Sequence, residues 1–492
     1  MEAHPAASTV PRAPVLANVF LTAVVGAGLA LTTSRYASFD AAAYYLEALL
    51  VAGGAAPYVD FVENKSPGIF YLLALPARVF GWDPVGAVLL FRALELAWLA
   101  LLDRILAAVA VRPAARRLAL AVGYAAYLAC FATTWETVYT ELPEAALATL
   151  AILLLATGRG GPFAIGLALG VATLMRQTAL LQAAGLVLLV LLEPGRARAR
   201  VQSAVVLGAG TAVPLAGIVA VAAGQGWLEA WVVQAYAWNY RYVAAFDPLW
   251  TRLLPTLGQL ARNDFLLPFG LAVAVRPFLG GLADRATRIL GVWCLVGLVE
   301  ASASGVLYRH HFVPWLGALV ALFGETLERL LRLPRPRVRV GALAAASVLA
   351  VHVMAGNVRS AARLHVTDRE QLQPIAAWIR AHTAPGDRIL VWGFAPQLYL
   401  LAERRPASRH THHLLLTNAE RRFLPLDAGF VRDFRADLAA TPPAVVVVLS
   451  DEPLGPYFGA RLADYRLLDA RLGPGGRIRV LARRSRTQRP PA

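Results

Sequence analysis

The stretch Phe39–Tyr71, FDAAAYYLEALLVAGGAAPYVDFVENKSPGIFY, stands between two long apolar runs and gathers five chemically capable side chains: Asp40, Tyr44, Asp60, Glu63 and Lys65. Lys65 is the only lysine among 47 cations, which leaves 46 arginines elsewhere. An ammonium is a compact point charge and a guanidinium a wide planar fork, so a site shaped for the first seldom accepts the second. The stretch therefore reads as an active-site loop, and the runs on either side of it decide the fold.

Those runs are membrane-like. The chain has 492 residues, 58% of them hydrophobic and only 16% charged, with a mean hydropathy of +0.55, too apolar for an ordinary soluble globule. Several windows run for about 18 residues or more without a charge, the length that crosses the hydrocarbon core as a helix. The first run, Val15 to Thr33, lacks a clear basic flank before it and is followed by many further spans, so it is expected as a retained helix rather than a cleaved signal.

Composition also excludes function classes. Cys130 and Cys294 both lie in apolar runs, where a thiol packs as a small hydrophobe, so neither a disulfide framework nor a cysteine metal cluster is expected. The net charge of +16 raises a nucleic-acid reading, which the distribution opposes, because many arginines sit in short loops between spans and would orient a membrane protein there. Walker-type GxxxxGK[ST], GxGxxG after a strand, GxSxG, HExxH and CxxC are all missing, which removes support for nucleotide hydrolysis, dinucleotide redox, serine hydrolysis and the common zinc sites.

Eleven spans can be drawn, near 15–33, 84–110, 117–133, 143–157, 162–175, 178–192, 202–223, 264–280, 289–304, 311–330 and 338–356. With a cytoplasmic N-terminus, the loops carrying Arg112, Arg116 and Arg117, Arg159, Arg196 to Arg200, Arg285 and Arg288, and Arg332 to Arg339 all fall inside, as the rule of positive cytoplasmic loops requires. The Phe39–Tyr71 stretch, the Thr133–Glu144 loop, the Gly224–Asn263 loop and everything after about Asn357 then face outside. Helical patterning at Asp40–Leu50, Gly68–Phe80 and Trp227–Val243 predicts helices lying along the membrane surface. The turn-rich GGAAPYVDFVENKSPG between the first two should be irregular.

From about Thr367 the composition changes. A helix closing at Trp378 and Ile379, then strands at ILVW, Ala444–Leu449 and Arg477–Leu481 with helical patterns between, predict a small α/β domain. The expected organisation is a catalytic membrane domain over 1–360, an extracytoplasmic α/β domain over 361–484 and a disordered tail over 485–492. From Ser360 onward 20 arginines face 12 acidic residues, a difference of +8, suited to anionic headgroups or a phosphate-bearing substrate as well as to a solvated surface.

Among the groups that can do chemistry, Asp40 can cap the helix that follows it or, partly desolvated at a membrane surface, act as a general base. Asp60, Glu63 and Lys65 can equally form an ion-pair cluster that only fixes the loop. The second outer loop, TTWETVYTELPEAALATL, adds Glu136, Glu141 and Glu144, acids that favour a helix start in any case. Arg176 in MRQT and His310 and His311 in LYRHHFVPWL come to the same face. A charge at Arg176 is costly unless it reaches an interface or wet cavity. Lys65, Arg176, Arg309 and His310 together can hold a phosphate. No cofactor is required by these residues; Asp40, Glu141 and Glu144 offer oxygen ligands to a divalent cation, though their spacing does not demand one.

These residues resemble the bacterial GT-C membrane glycosyltransferases, in particular the family 39 group with its protein O-mannosyltransferase-like and Rgt-like members and the aminoarabinose transferase of lipid A. The matching parts are Asp40 before AAAYY, PYVDFVENKSPGIFYLLALPARVFG at Pro57–Gly81, TELPEAALATL at Thr140–Leu150, LMRQTALL at Leu174–Leu181 and LYRHHFVPWLGAL at Leu307–Leu319. The resemblance spans most of the membrane half and is specific for Pro57–Gly81. It implies a polytopic GT-C-like fold and a reaction on the outer face of the bacterial cytoplasmic membrane with a polyprenyl-phosphate sugar as donor. The acceptor would be a lipid, glycan or protein. It also implies that Asp40 is the catalytic base and Lys65 a donor-phosphate contact, with Tyr44, Glu63, Arg176 and His310 as further substrate-binding candidates and Glu141 and Glu144 as the second-loop acids. Many relatives carry a second acid directly after the first, where this chain has Ala41; Glu47 or Glu63 would have to substitute.

The chemistry fits the residues without the family name. Sugar transfer needs a base for the acceptor proton and cations for the departing phosphate, and a single displacement would invert the sugar carbon. The rival readings are a transporter or flippase of lipid-linked sugars, whose ionisable groups would gather near the midplane in paired halves, and a glycan ligase or polymerase of the same architecture. Here the acids gather in outer loops and no halves repeat. Arginine and alanine richness suggests a bacterium with a GC-rich genome.

Overall fold

The computed structural model describes residues 12–33, 39–131, 138–244, 251–252, 254–255, 258, 266–280, 284–303, 308–363, 368–413, 416, 428–468 and 478–484. Glu136 and the tail from Ser485 lie outside them. The first half runs α1 (Arg12–Thr33), α2 (Phe39–Ala52), α3 (Gly68–Phe80), α4 (Val85–Ala108), α5 (Pro113–Cys130), α6 (Glu141–Thr157), α7 (Pro162–Met175), α8 (Leu180–Leu192) and α9 (Ala197–Gly224). It continues through α10 (Leu228–Trp231), a π-helical turn over Val232–Ala237, α11 (Trp238–Ala244), α12 (Leu267–Val275), α13 (Arg285–Ala303), α14 (Val313–Arg332) and α15 (Pro336–Arg363). Local chemistry sets several boundaries. Pro113 and Pro162 open α5 and α7, where a missing N–H costs nothing, and Gly158 closes α6 in the left-handed conformation at φ 65.

A helix lies at each of the eleven expected spans. Among the described residues five helices are long and apolar enough to cross a membrane: α4, α9 and α13, and the main parts of α1 and α15. Several of the others are shorter, α7 ending at Met175 and α8 following after one 3-10 turn. At one end of the bundle the arginines are clamped. Arg112 bonds Glu328, Arg285 bonds Glu193 and Arg329 bonds Asp284. Inside, Arg92 pairs with Glu95 at 2.8 Å and bonds Thr32, while the Tyr127 hydroxyl donates to Glu95 at 2.8 Å, so this buried charge pair is hydrogen-bonded as burial requires.

The tightest helix seam joins α7 to α9. A Cβ added at Gly166 or Gly170 of α7 would run into the carbonyls of Leu207 or Thr211, and one at Gly210 of α9 into the carbonyl of Phe163. Small residues let the two backbones approach, the common device for packing helices in lipid. Gly166→Val is expected to destabilise the protein by at least about 1–3 kcal/mol, the usual range for overpacking, read as a lower melting temperature in detergent while Gly217→Val, with open space around it, melts like wild type.

The region after α15 holds α16 (Asp368–His382), β1 (Ile389–Trp392), α17 (Gln397–Ala402), α18 (Ala428–Ala440), β2 (Val445–Val448), α19 (Gly455–Phe458), β3 (Tyr465–Leu467) and β4 (Arg479–Arg483). The sheet order is β1-β2-β4-β3, with β1 and β2 parallel in register Ile389 to Val445 and the other pairs antiparallel. The sequences ILVW and VVVV are apolar at every position because both strands are buried on both faces. Leu390, Trp392, Val446 and Val448 meet Phe434 and Tyr457 on one side. Ile389, Val391, Val445 and Val447 join the main core on the other, with Ile375, Ile379 and Tyr399. The expected strands are found; β3 is an addition.

The helix expected at Asp40–Leu50 is present as α2, and protein covers it: Ala41 to Ala48 are eight consecutive buried residues. It is covered on all sides, partly by α17 and by the segment after β1, which the sequence separates from it by more than 340 residues.

Candidate active site

The Gly53–Pro67 loop is held by side chains from three distant elements. Tyr58, at φ 63, folds its hydroxyl back to donate to the Lys65 carbonyl at 2.6 Å. Gln234 binds the loop twice, accepting the Glu63 N–H at 3.1 Å and donating to the Tyr58 carbonyl at 2.7 Å. Asn239 accepts from the Asn64 amide at 3.3 Å and donates to the Asn64 carbonyl at 2.7 Å. Gln234 and Asn239 are five residues apart, and the π turn between α10 and α11 brings that spacing nearer to one face than an α-helix would, a distortion frequent at functional sites.

The far end of the loop docks on the break between α7 and α8. Arg176 is extended there, the Ser66 hydroxyl donates to Gln177 at 2.9 Å, and Gly68 sits so close that a Cβ would lie 2.5 Å from the Leu174 carbonyl. Backbone cannot yield as a flexible side chain does. Gly68→Ala is therefore expected to shift the start of α3 and with it Lys65, lowering turnover about tenfold or more, since displacements of this order at a reacting centre are costly; steady-state rates with a parallel melting curve check this.

Lys65 is half-buried, and among the described residues its ammonium makes no hydrogen bond or ion pair. Carboxylates surround it at longer range: its charge acts on Asp40, Glu47, Glu63 and Glu141. Asp40 lies in the first turn of α2 rather than at a capping position, and no described amide is bonded by its carboxylate. Burial raises its pKa above the usual carboxylate value, with Lys65 opposing the shift. The cap explanation is thus not the one the structure favours.

The alternative ion-pair cluster of Asp60, Glu63 and Lys65 does not form either. Asp60 is exposed and accepts the Ala56 N–H at 2.7 Å, and Glu63 faces His412, 4.0 Å from its Nε2, a charge-pair separation rather than a hydrogen bond. Burial pushes the Glu63 carboxyl up, but His412, Lys65 and the Asn64 N–H together hold it below its ordinary value.

A second group of charges adjoins the first. Arg176 lies 3.5 Å from both Glu141 and Glu144, and Gln182 donates to the buried Glu300 at 2.6 Å. Arg176 is only 8% exposed and its charge is shared with two acids, so it is a less available cation than expected. His310 stacks on Tyr139 with centroids 4.7 Å apart, and Tyr139 meets Tyr44 edge-on at 6.4 Å. Burial pushes His310 down to about 4. At neutral pH it presents an uncharged ring, which corrects the expectation of a third cation. Glu141, His310 and His311 offer one ligand atom each within 4.8 Å of one another, a different set from Asp40, Glu141 and Glu144; Arg176 competes for the Glu141 oxygens.

The structure thus brings together Asp40, Lys65, Glu63 and Glu141, with Tyr44 beside them in the wall. Sequence reasoning missed the two loop anchors Gln234 and Asn239, the buried Glu300, and Thr411 and His412. The last two had a signal: RHTHH at Arg409–His413 holds three of the chain's nine histidines.

Comparison with solved structures supplies the fold family. ArnT from Cupriavidus metallidurans bound to undecaprenyl phosphate is 15% identical with a TM-score of 0.63, covering 97% of this chain and 99% of that one. The archaeal oligosaccharyltransferase AglB from Archaeoglobus fulgidus, in complex with an inhibitory peptide and a dolichol-phosphate, is 12% identical with a TM-score of 0.52, covering 96% of this chain and 75% of that one. No family model and no curated protein matches the sequence. The chain shares its overall fold with these two proteins.

Proposed function

We propose that this protein transfers a sugar from a polyprenyl-phosphate donor to a hydroxyl-bearing acceptor at the outer face of a bacterial cytoplasmic membrane. One observation carries the reading. A half-buried carboxylate, Asp40, and a half-buried ammonium, Lys65, both without a hydrogen-bond or ion-pair partner among the described residues, share one polar space at the end of an apolar bundle. Likeness in fold to ArnT bound to undecaprenyl phosphate and to AglB with a dolichol-phosphate supports the donor class.

In this account the acceptor O–H gives its proton to Asp40 as its oxygen attacks the anomeric carbon. The bond from that carbon to the phosphate oxygen breaks, and the polyprenyl phosphate leaves carrying the electron pair. Raised basicity at Asp40 assists the first transfer. Lys65 meets the charge that develops on the phosphate, where a fixed cation in a shielded site is worth most. Displacement from the face opposite the phosphate inverts the sugar carbon, and the polyprenyl tail lies against the apolar helices. Tyr44 and His310 shape the wall, and Glu141 and Glu144 keep Arg176 in place beside it. The resemblance in Pro57–Gly81 favours the family 39 group.

The test is transfer of labelled sugar from polyprenyl-phosphate donors, with the anomer of the product determined. An inverted product is expected; a retained anomer overturns the single displacement.

A further inference from the structure

Lys65 has three carboxylates within its electrostatic reach on the loop side, Asp40, Glu47 and Glu63, yet it pairs with none of them. Two of the three are engaged instead by one short segment of the C-terminal region. The Thr411 hydroxyl donates to Glu47 Oε1 at 3.2 Å, and His412 Nε2 lies 4.0 Å from Glu63 Oε2. His412 is only 8% exposed and its Nδ1 has no hydrogen-bond partner, so the ring is turned into this space rather than toward solvent.

The segment is rigidly placed for that task. The Arg409 carbonyl accepts the Val62 N–H at 2.9 Å. The Arg409 guanidinium grips Asp437 of α18 with two bonds, at 3.0 and 2.9 Å, and Ser408 adds a third contact to the same carboxylate at 3.1 Å. Phe394, just after β1, touches the His412 ring at 4.9 Å and stacks on Phe39 at 5.8 Å. Sheet, segment and loop are therefore one unit around Glu63.

We propose that His412 is a positioning residue that holds Glu63 away from Lys65, so that the ammonium stays open to the donor phosphate and the C-terminal sheet completes the active site. Without the imidazole, the buried Glu63 carboxylate loses the ring that faces it at 4.0 Å, and Lys65 remains as the cation within its reach. A Glu63–Lys65 pair then competes with the phosphate. The inference rests on the reading of Lys65 as the donor-phosphate contact, but the comparison of variants below does not require a donor.

Because Lys65 is the only lysine, reductive methylation with labelled formaldehyde reports on it alone, apart from the N-terminal amine, which resonates separately. In His412→Ala, labelling of Lys65 is expected to slow about tenfold, the effect of an opposite charge moving beside an amine. Adding Glu63→Gln to that variant restores the wild-type rate, and His412→Gln, which places an amide N–H beside Glu63 where the ring stood, stays near it. A structural role alone predicts losses that add rather than a rescue.

An unchanged rate in His412→Ala, or no rescue by Glu63→Gln, overturns the proposal. Should His412→Ala fail to fold, Glu63→Gln in the wild-type background decides. Labelling at or above the wild-type rate supports the proposal, and slower labelling contradicts it. Undecaprenyl phosphate should protect Lys65 in the wild type. Absence of protection, with the variant pattern intact, contradicts the donor reading and leaves the positioning role standing.

Discussion

Asp40→Asn folds and loses sugar transfer by about 10²–10⁴-fold, the range that a positioned general base contributes. The substitution keeps the size of the side chain and removes only its ability to accept a proton. Because burial raises the Asp40 pKa, the wild-type rate falls as pH drops through a midpoint above the ordinary carboxylate range. That acidic limb is absent from the residual rate of the variant.

Stability moves the other way. A carboxyl whose pKa is raised on folding binds its proton more tightly in the folded state, so its contribution to stability declines as pH rises from the unfolded value through the folded one. Asp40→Asn removes that cost. The variant is expected to melt at or above the wild-type temperature at neutral pH, a loss of function without a loss of fold, as at other sites that trade stability for activity. Turnover and melting curves measured across the same pH range check both halves.

Lys65→Arg keeps the charge and still fails. The loop delivers this side chain from a backbone fixed at its own carbonyl by Tyr58, and at its neighbours by Gln234, Asn239 and Gln177. A planar fork is longer and wider than an ammonium, and it reaches the surrounding carboxylates that Lys65 leaves alone. Donor affinity is expected to fall by about tenfold or more, since hydrogen bonds to charged groups are worth about 1.5–3 kcal/mol. Lys65→Gln, which removes the charge, should lose as much or more. Equilibrium binding of undecaprenyl phosphate to the three proteins measures this, with wild-type binding in Lys65→Arg as the contrary result.

Much of the fold was legible because apolar length is a direct physical demand of the bilayer. Each run drawn from hydropathy holds a helix, the break at Arg176 is where the sequence put it, and ILVW and VVVV announced strands buried on both faces. The burial of α2 was not legible. Its pattern of alanines, tyrosines and one glutamate suits a surface helix, and what covers Glu47 is Thr411, distant in the chain and close only after the C-terminal sheet packs. The same holds within the site. Asp40 and Lys65 stood out by residue type, whereas His412 as the neighbour of Glu63 was not visible, because sequence neighbours are legible and tertiary ones are not. His310 looked like a cation until its burial was known.

The most direct test reconstitutes the protein in liposomes with labelled undecaprenyl-phosphate sugars and a hydroxyl acceptor, comparing wild type with Asp40→Asn and Lys65→Arg, each checked for folding. The account predicts transfer by wild type alone. Transfer from none of the donors, together with movement of the labelled lipid between leaflets, would contradict it and identify a transporter.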